Sequence, residues 1–457
     1  MSDDAATALA DPPRRAPSGE RRASLQRRAE WGLLAIGAIV SVVLLPHAVD
    51  GDGGVRAGML ATLVDHGRAP AGRYSLLQPL LTVPLWALGG LLGDPLRVAA
   101  YFNTIVLFTG LALIARLSWR HVDRDVLRRF LLLVLAASMF PHHLGNYYGE
   151  VLSAVAIAVG LLLLARGSFA AGSAAAVAGV VNTPAAAGGL LLVCLRRAWR
   201  TRRWVRSALP LVAAAALVAV DQWVRNGSPL HSGYANDHGF ATILPYSGRP
   251  GFSYPLVLGL ASLLFSFGKG IVFFAPGLAL PFLLPRAARS PLPSPTEERF
   301  RRLCMLFLLG LILVYAKWWS WYSGFFWGPR FLLFAAFPAS LVLARHLGDS
   351  ARGAAGDLLV LGVLALSVWV AADGAVFAQR GMEICRADDY ALEFLCWYVP
   401  EFSALARPFV APRPVSRREA LLLGYYALVA VTLARPIVAR LGRRAWRAGR
   451  KLAGGAR

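Results

Sequence analysis

Apolar runs recur along this chain from residue 31 to residue 435, each long enough for several helical turns and separated from the next by a short polar connection. A helix that crosses a bilayer needs about 20 mostly apolar residues, so the pattern predicts an all-α, polytopic transmembrane protein. Basic residues collect in 14–28, 116–129, 196–206, 286–302 and 435–451. Cytoplasmic connections carry the excess of Lys and Arg, and placing every cluster on that side fixes the thread. Crossings are then expected near 31–49, 98–115, 130–140, 151–165, 169–181, 185–195, 208–220, 270–284, 303–316, 331–344, 358–376 and 420–434. That is about twelve, with both termini in the cytoplasm.

Two further apolar stretches fit better as outer juxtamembrane helices. If both 76–92 and 98–115 crossed, the cluster at 116–129 would face outward, and the Pro and Gly residues of 76–93 also weaken a crossing there. The first stretch is expected to lie flat in the outer interface behind an amphipathic segment at 55–66, and 254–267 does the same ahead of 270–284. Asn182-Thr183-Pro184 interrupts 169–195, which predicts two half-length helices turning near the outer surface.

Composition agrees with the membrane reading: of 457 residues 57% are hydrophobic and 16% charged, too apolar for one water-soluble core of this length. The expected organisation is a disordered cytoplasmic tail at 1–30, a transmembrane domain at 31–435 and a basic cytoplasmic tail at 436–457. Outer loops fall at 50–97, 141–150, 221–269, 317–330 and 377–418, and the location is the cytoplasmic membrane. A net charge of +23 invites a nucleic-acid partner, but the cations sit in blocks between apolar runs without interleaved aromatics on one face, so none is expected. Cys194 and Cys304 read as small core residues. Cys385 and Cys396 share one polar loop and can pair if it lies outside.

Under this thread the polar side chains gather on the outer surface. Asp50 and Asp52 follow the first crossing, and the glycines at 51, 53 and 54 let the backbone bend around a ligand. A carboxylate at a bilayer boundary is partly desolvated, which is expected to raise its pKa toward a range suited to proton abstraction, with one acid as general base and the other orienting an acceptor hydroxyl or a metal. His142, His143, Tyr148 and Glu150 fall between two crossings, Glu150 at a helix start. Adjacent imidazoles point apart and no metalloenzyme spacing occurs, so no metal is expected. Arg73 and Tyr234 lie in outer loops, and Lys269 precedes a crossing whose free amides favour an anion. Lys317 and Arg330 bracket the aromatic block containing Trp327. A guanidinium re-entering the bilayer at Arg330 needs an anionic partner, and a phosphodiester suits its fork.

The centres of the crossings carry almost no charge. An ionisable residue there costs roughly 2.5–3.5 kcal/mol, and proteins that carry ions across keep a few. With no internal repeat either, a reaction at the outer leaflet is favoured, a secondary transporter or lipid-linked glycan flippase being the alternative.

These residues in this order resemble the GT-C superfamily of integral-membrane glycosyltransferases, in particular the bacterial group related to protein mannosyltransferases and aminoarabinose transferases. The resemblance rests on the acids at Asp50 and Asp52, the 74–79 entry to a juxtamembrane helix, Tyr148-Gly149-Glu150, the 227–234 loop, the 265–270 turn and Trp327-Gly328-Pro329-Arg330. It implies an inverting transferase that takes a sugar from a polyprenyl-phosphate donor and passes it to a hydroxyl of a glycan, lipid or protein acceptor. Membrane lipids are further partners, and no cofactor beyond the lipid-linked sugar is implied. It implies a first-loop acid as base, Asp50 being preferred as the nearer to the first crossing and Asp52 its rival, with Glu150 in support. Arg73, Lys269, Lys317 and Arg330 would then hold the phosphate, and His142, His143, Tyr148, Tyr234 and Trp327 the rest of the substrate. The sequence departs from the group at Asn182-Thr183-Pro184, where an arginine often ends the corresponding short helix, and carries no large soluble domain after its crossings.

Overall fold

The computed structural model describes residues 18–234, 237–239, 241–284, 292–324, 326–378 and 383–454. Among them the chain is all-helical, with one isolated bridge between Ala48 and Asn146 and no strand. The first third comprises α1 (Ser18–Val43), α2 (Gly51–His66), α3 (Leu77–Leu92), α4 (Pro95–Ala99), α5 (Phe102–Ser118) and α6 (Arg124–Ala136). Next come α7 (Phe140–Leu144), α8 (Glu150–Ala165), α9 (Phe169–Asn182), α10 (Ala187–Thr201), α11 (Trp204–Asn226) and α12 (Leu256–Phe265). The last third holds α13 (Ile271–Phe274), α14 (Leu280–Leu283), α15 (Pro295–Lys317), α16 (Ala336–Gly348), α17 (Ala354–Val376), α18 (Leu395–Tyr398), α19 (Arg407–Val410) and α20 (Arg417–Gly454).

Local chemistry explains the boundaries. Asp123 accepts from the amides of Asp125 and Val126 to open α6, and Ser294 with Pro295 opens α15. Left-handed glycines at 67, 93 and 227 close α2, α3 and α11. Close packing fixes the centre: α8 lies against α9 where Gly160 meets Gly172, and a Cβ on Gly160 would come within 2.7 Å of the Gly172 carbonyl.

Among the described residues five helical segments are long and apolar enough to cross a membrane: Pro95–Ser118, Trp204–Asn226, Arg330–Gly348, Ala354–Val376 and Arg417–Arg450. Their outer faces expose large apolar side chains, such as Val205 at 81% and Leu209 at 53%, a surface suited to lipid and costly in water. The twelve expected crossings do not all correspond to helices of that length. Glu150–Ala165 and Phe169–Asn182 are shorter apolar helices, as are Leu77–Leu92 and Leu256–Phe265, the two stretches assigned to the interface. The expected crossing at 270–284 is broken into α13, a 3-10 turn at Pro276–Ala279 and α14, because Pro276 and Pro281 lack the amides a continuous helix needs.

The N-terminal tail differs from expectation. Residues 1–17 lie outside the described residues, but α1 begins at Ser18 and Glu30 is fully buried against Arg128 and Arg129, so 18–30 is helix instead of unstructured chain. At the other end α20 runs on through Pro436 to Gly454. Its basic side chains reach back to Asp357 at the start of α17, which pairs with Arg352 at 3.1 Å, Arg440 at 2.8 Å and Arg444 at 3.0 Å.

Candidate active site

Short segments at one end of the bundle enclose a cavity of about 630 Å³. Its walls come from the start of α2, the 73–75 stretch, the first residue of α8, the 182–188 turn, the last turns of α11 and α15, the 232–252 loop and the stretch from Trp318 to Phe331. Two of these segments are visibly tied down by polar contacts. Asn103 donates to the carbonyls of Asn146 and Tyr148 at 2.6 and 2.9 Å, which fixes the turn that delivers Glu150. Asp221 accepts from the Leu76 amide at 2.9 Å while Asn226 accepts from the Gly72 amide at 3.0 Å, holding the strip that carries Arg73 and Tyr74.

The two first-loop acids separate. Residues 55–66 are helical as expected, but the helix starts at Gly51, whose φ of +48° suits glycine, so Asp52 lies in its first turn and Asp50 is the extended residue before it. Positions two apart on a helix do not share a direction. Asp52 enters the cavity wall, where it pairs with Arg330 at 2.7 Å and accepts a hydrogen bond from Tyr74. Asp50 is exposed beside the cavity and accepts from the Tyr148 hydroxyl at 3.1 Å. Burial pushes the Asp52 carboxyl up, but the Arg330 charge, the Tyr74 hydroxyl and Arg73 together outweigh it and hold the group below its ordinary value of 3.8. Burial pushes the Tyr74 hydroxyl up, and the neighbouring Asp52 charge adds to this.

Arg330 is the centre of this cluster. Its guanidinium is 5% exposed, reaches Asp52 and lies 3.6 Å from Glu150, donates through Nε to the Ser323 carbonyl at 3.2 Å and stacks over Phe326 at 4.2 Å. Two carboxylates therefore face one cation. Arg73 also lines the cavity, paired with Asp237 at 3.1 Å, and Tyr234 stands within reach of its cation.

The remaining expected residues take other positions. Lys269 is fully buried behind the cavity, and its ammonium donates to the carbonyls of Gly324, Phe326 and Gly328, so its three protons are used on backbone and none is left for a phosphate. His142 and His143 are buried against the Trp327 ring, outside the cavity wall. Burial pulls His142 down to about 4 despite its bond to the Gly374 carbonyl, and the Lys269 and Arg330 charges add to the effect. Trp327 is itself buried and donates to Asp373 at 2.7 Å. Lys317 ends α15 outside the wall, and Tyr148 packs on Phe326 beside it. Among the described residues no group of three or more His, Cys, Asp or Glu is arranged to hold a metal ion.

Arg56 was not singled out by the sequence, yet it supplies an unmatched cation. It lies one turn after Asp52 on α2, lines the cavity, is 6% exposed, and its Nε and Nη1 have no hydrogen-bond partner among the described residues. Its guanidinium stacks on Tyr74 at 4.6 Å and fits beside Gly149, where a Cβ would come within 2.5 Å of it. The four-residue spacing from Asp52 was the available signal, since i and i+4 share a helix face. Tyr315, Trp318 and Trp319 add an aromatic wall.

No protein-family model matches the sequence, and no curated protein matches it. Among solved structures the chain is similar to the crystal structure of ArnT from Cupriavidus metallidurans bound to undecaprenyl phosphate. The TM-score is 0.47 at 17% identity, over 90% of this chain and 77% of that one.

Proposed function

We propose that this chain is a GT-C-type membrane glycosyltransferase that moves a sugar from a polyprenyl-phosphate donor to an acceptor hydroxyl, with inversion, at the outer face of the cytoplasmic membrane. The observation that carries the proposal is that one cavity is lined both by the Asp52 carboxylate, held ionised beside Arg330, and by a buried Arg56 whose Nε and Nη1 have no hydrogen-bond partner among the described residues. A buried cation without a partner is costly, and an anionic ligand offsets that cost. The phosphate of the donor would sit on Arg56, with the sugar between it and the acids.

The acceptor oxygen attacks the anomeric carbon while its proton passes to Asp52. The bond from that carbon to the phosphate oxygen breaks on the opposite face, and the lipid phosphate leaves with the electron pair, its charge met by Arg56. Arg330, facing both Asp52 and Glu150, orients the acids in this scheme instead of gripping phosphate. Position in the cavity wall supports Asp52 over Asp50 as base, and Glu150 would orient the acceptor.

The test uses the full chain in lipid nanodiscs with a set of polyprenyl-phosphate sugars, scoring release of the unglycosylated lipid phosphate. Asp52→Asn is expected to abolish release while Asp50→Asn keeps most of it. Activity retained by Asp52→Asn and lost in Asp50→Asn overturns the assignment of the base, and retention by both overturns the mechanism.

A further inference from the structure

Behind the cavity, Lys269 fastens a stretch of irregular backbone. Ser323, Gly324 and Gly328 have φ values of +61°, +73° and +62°, left-handed positions that turn the chain sharply between α15 and the re-entry at Arg330. Such backbone cannot satisfy its own carbonyls by helical bonding, and those of Gly324, Phe326 and Gly328 all converge on the Lys269 ammonium. Arg330 closes the same stretch by donating to the Ser323 carbonyl. Thus two cations hold one loop, one facing the cavity and one behind it.

A third segment supports Lys269 from the far side. The amide of Gly268 donates to the Trp397 carbonyl at 3.0 Å, and a Cβ on Gly268 would lie 1.8 Å from the Cys396 carbonyl, so these backbones touch. Cys396 is bonded to Cys385, which closes the loop between them. That loop carries Glu393, 4% exposed, whose carboxylate interacts with the Lys269 charge and accepts from the Tyr322 hydroxyl. Trp397 stacks on Tyr322 at 3.9 Å. A continuous path of contacts therefore runs from the disulfide loop through Lys269 and the 323–328 stretch to Arg330 and its acids.

We propose that Lys269 is a positioning residue which, backed by Glu393 and the Cys385–Cys396 loop, fixes the carbonyl ring that aims Arg330 at Asp52 and Glu150. Lys269 does not itself line the cavity but holds the backbone of Gly324 and Phe326, which do. Breaking its contacts loosens Arg330, and reduction of the disulfide does the same more weakly by releasing Glu393. The catalytic half of this inference rests on the glycosyltransferase reading, but the positional half does not.

The experiment has three arms on the full chain in nanodiscs. Hydrogen exchange of the amides in 323–331 is expected to speed up at least about tenfold in Lys269→Met, the scale of losing one charge-assisted hydrogen bond, and by less in Glu393→Gln or after reduction. Turnover is expected to fall in Lys269→Met, to recover in part in Lys269→Arg, and to be no lower in Lys269→Met/Arg330→Gln than in Arg330→Gln alone, since residues acting through one another do not add. Binding of polyprenyl phosphate, read by native mass spectrometry, is expected to be unchanged in Lys269→Met. Unchanged exchange with weakened lipid binding overturns the proposal and makes Lys269 a ligand contact, and additive losses in the double variant overturn it as well. Should Lys269→Met not fold, unchanged exchange in Glu393→Gln and after reduction overturns it by itself. If the wild-type chain turns over no polyprenyl-linked sugar, the exchange arm still decides the positional claim while the functional reading fails separately.

Discussion

Two buried clusters of arginine and carboxylate sit at opposite ends of this molecule, and they are built on opposite ratios. Near the basic end Asp357 accepts from three arginines, Arg352, Arg440 and Arg444, and is fully buried. At the cavity one arginine, Arg330, faces two acids, Asp52 and Glu150. Asp357 and Asp373 mark the two ends of α17, about 24 Å apart at about 1.5 Å per residue, and Asp373 reaches the cavity end through Trp327. The first cluster has cation donors in excess and every carboxylate oxygen occupied, which is what pinning α20 against α17 requires. The second leaves carboxylate capacity free beside a cavity, next to Arg56, which pairs with no carboxylate among the described residues. Saturated ion pairs anchor helices, whereas unsaturated ones are available to a ligand.

The largest effect that can sharpen this contrast is on turnover. Asp52→Asn is expected to lower sugar transfer per folded molecule by about a thousandfold, because removal of a positioned base costs roughly that much, with a smaller cost in melting temperature, since Arg330 keeps Glu150 beside it. Asp357→Asn is expected to do the reverse, lowering stability by roughly 3–5 kcal/mol as buried cations lose their partner while turnover per folded molecule holds. Thermal melts and turnover on both variants compare the clusters directly, and loss of turnover without loss of stability in Asp357→Asn breaks the distinction.

Next in size is ligand affinity. Arg56→Met is expected to weaken polyprenyl-phosphate binding by about ten- to a hundredfold, the scale of hydrogen bonds to a charged group, while Arg352→Met leaves it unchanged. Native mass spectrometry with the lipid phosphate reads both.

The smallest effect concerns pH. Since the folded-state value of Asp52 is lowered, its contribution to stability is fully present above its unfolded value of 3.8 and is lost as pH falls through the folded one. Thermal stability is therefore expected to show no contribution from Asp52 titration between pH 7 and 5, then to fall more steeply in the wild-type chain than in Asp52→Asn below that range. A difference between the two slopes already at pH 6 contradicts the lowered value.

Much of the helical framework was legible because apolar runs leave few alternatives; Glu150 stood out at a helix start and Asp52 as one of two acids in the loop after the first crossing, where nearness to that crossing favours Asp50 and only the helix start at Gly51 turns Asp52 into the cavity. Arg73, Tyr234 and Arg330 reach the same cavity from distant loops, as their outer placement in the thread allowed. Lys269 was read as a phosphate contact because a lysine at a helix start looks the same whether it meets an anion or backbone carbonyls. Only the left-handed turns at 323–328 reveal which. Arg56 was hidden inside a segment assigned to the interface, where a cation is ordinary. The break at 270–284 was visible in Pro276 and Pro281, but apolar composition outweighed it. Cys385 and Cys396 could only be named as a possible pair, and the structure joins them.

The most direct test is a cryo-electron-microscopy structure of the full chain in nanodiscs with a polyprenyl phosphate bound. The account predicts phosphate density within about 3 Å of the Arg56 guanidinium, in the cavity that Asp52 and Glu150 line. Phosphate held instead by Lys317, or by the arginines near residues 116–129, with Arg56 still unpartnered, contradicts it.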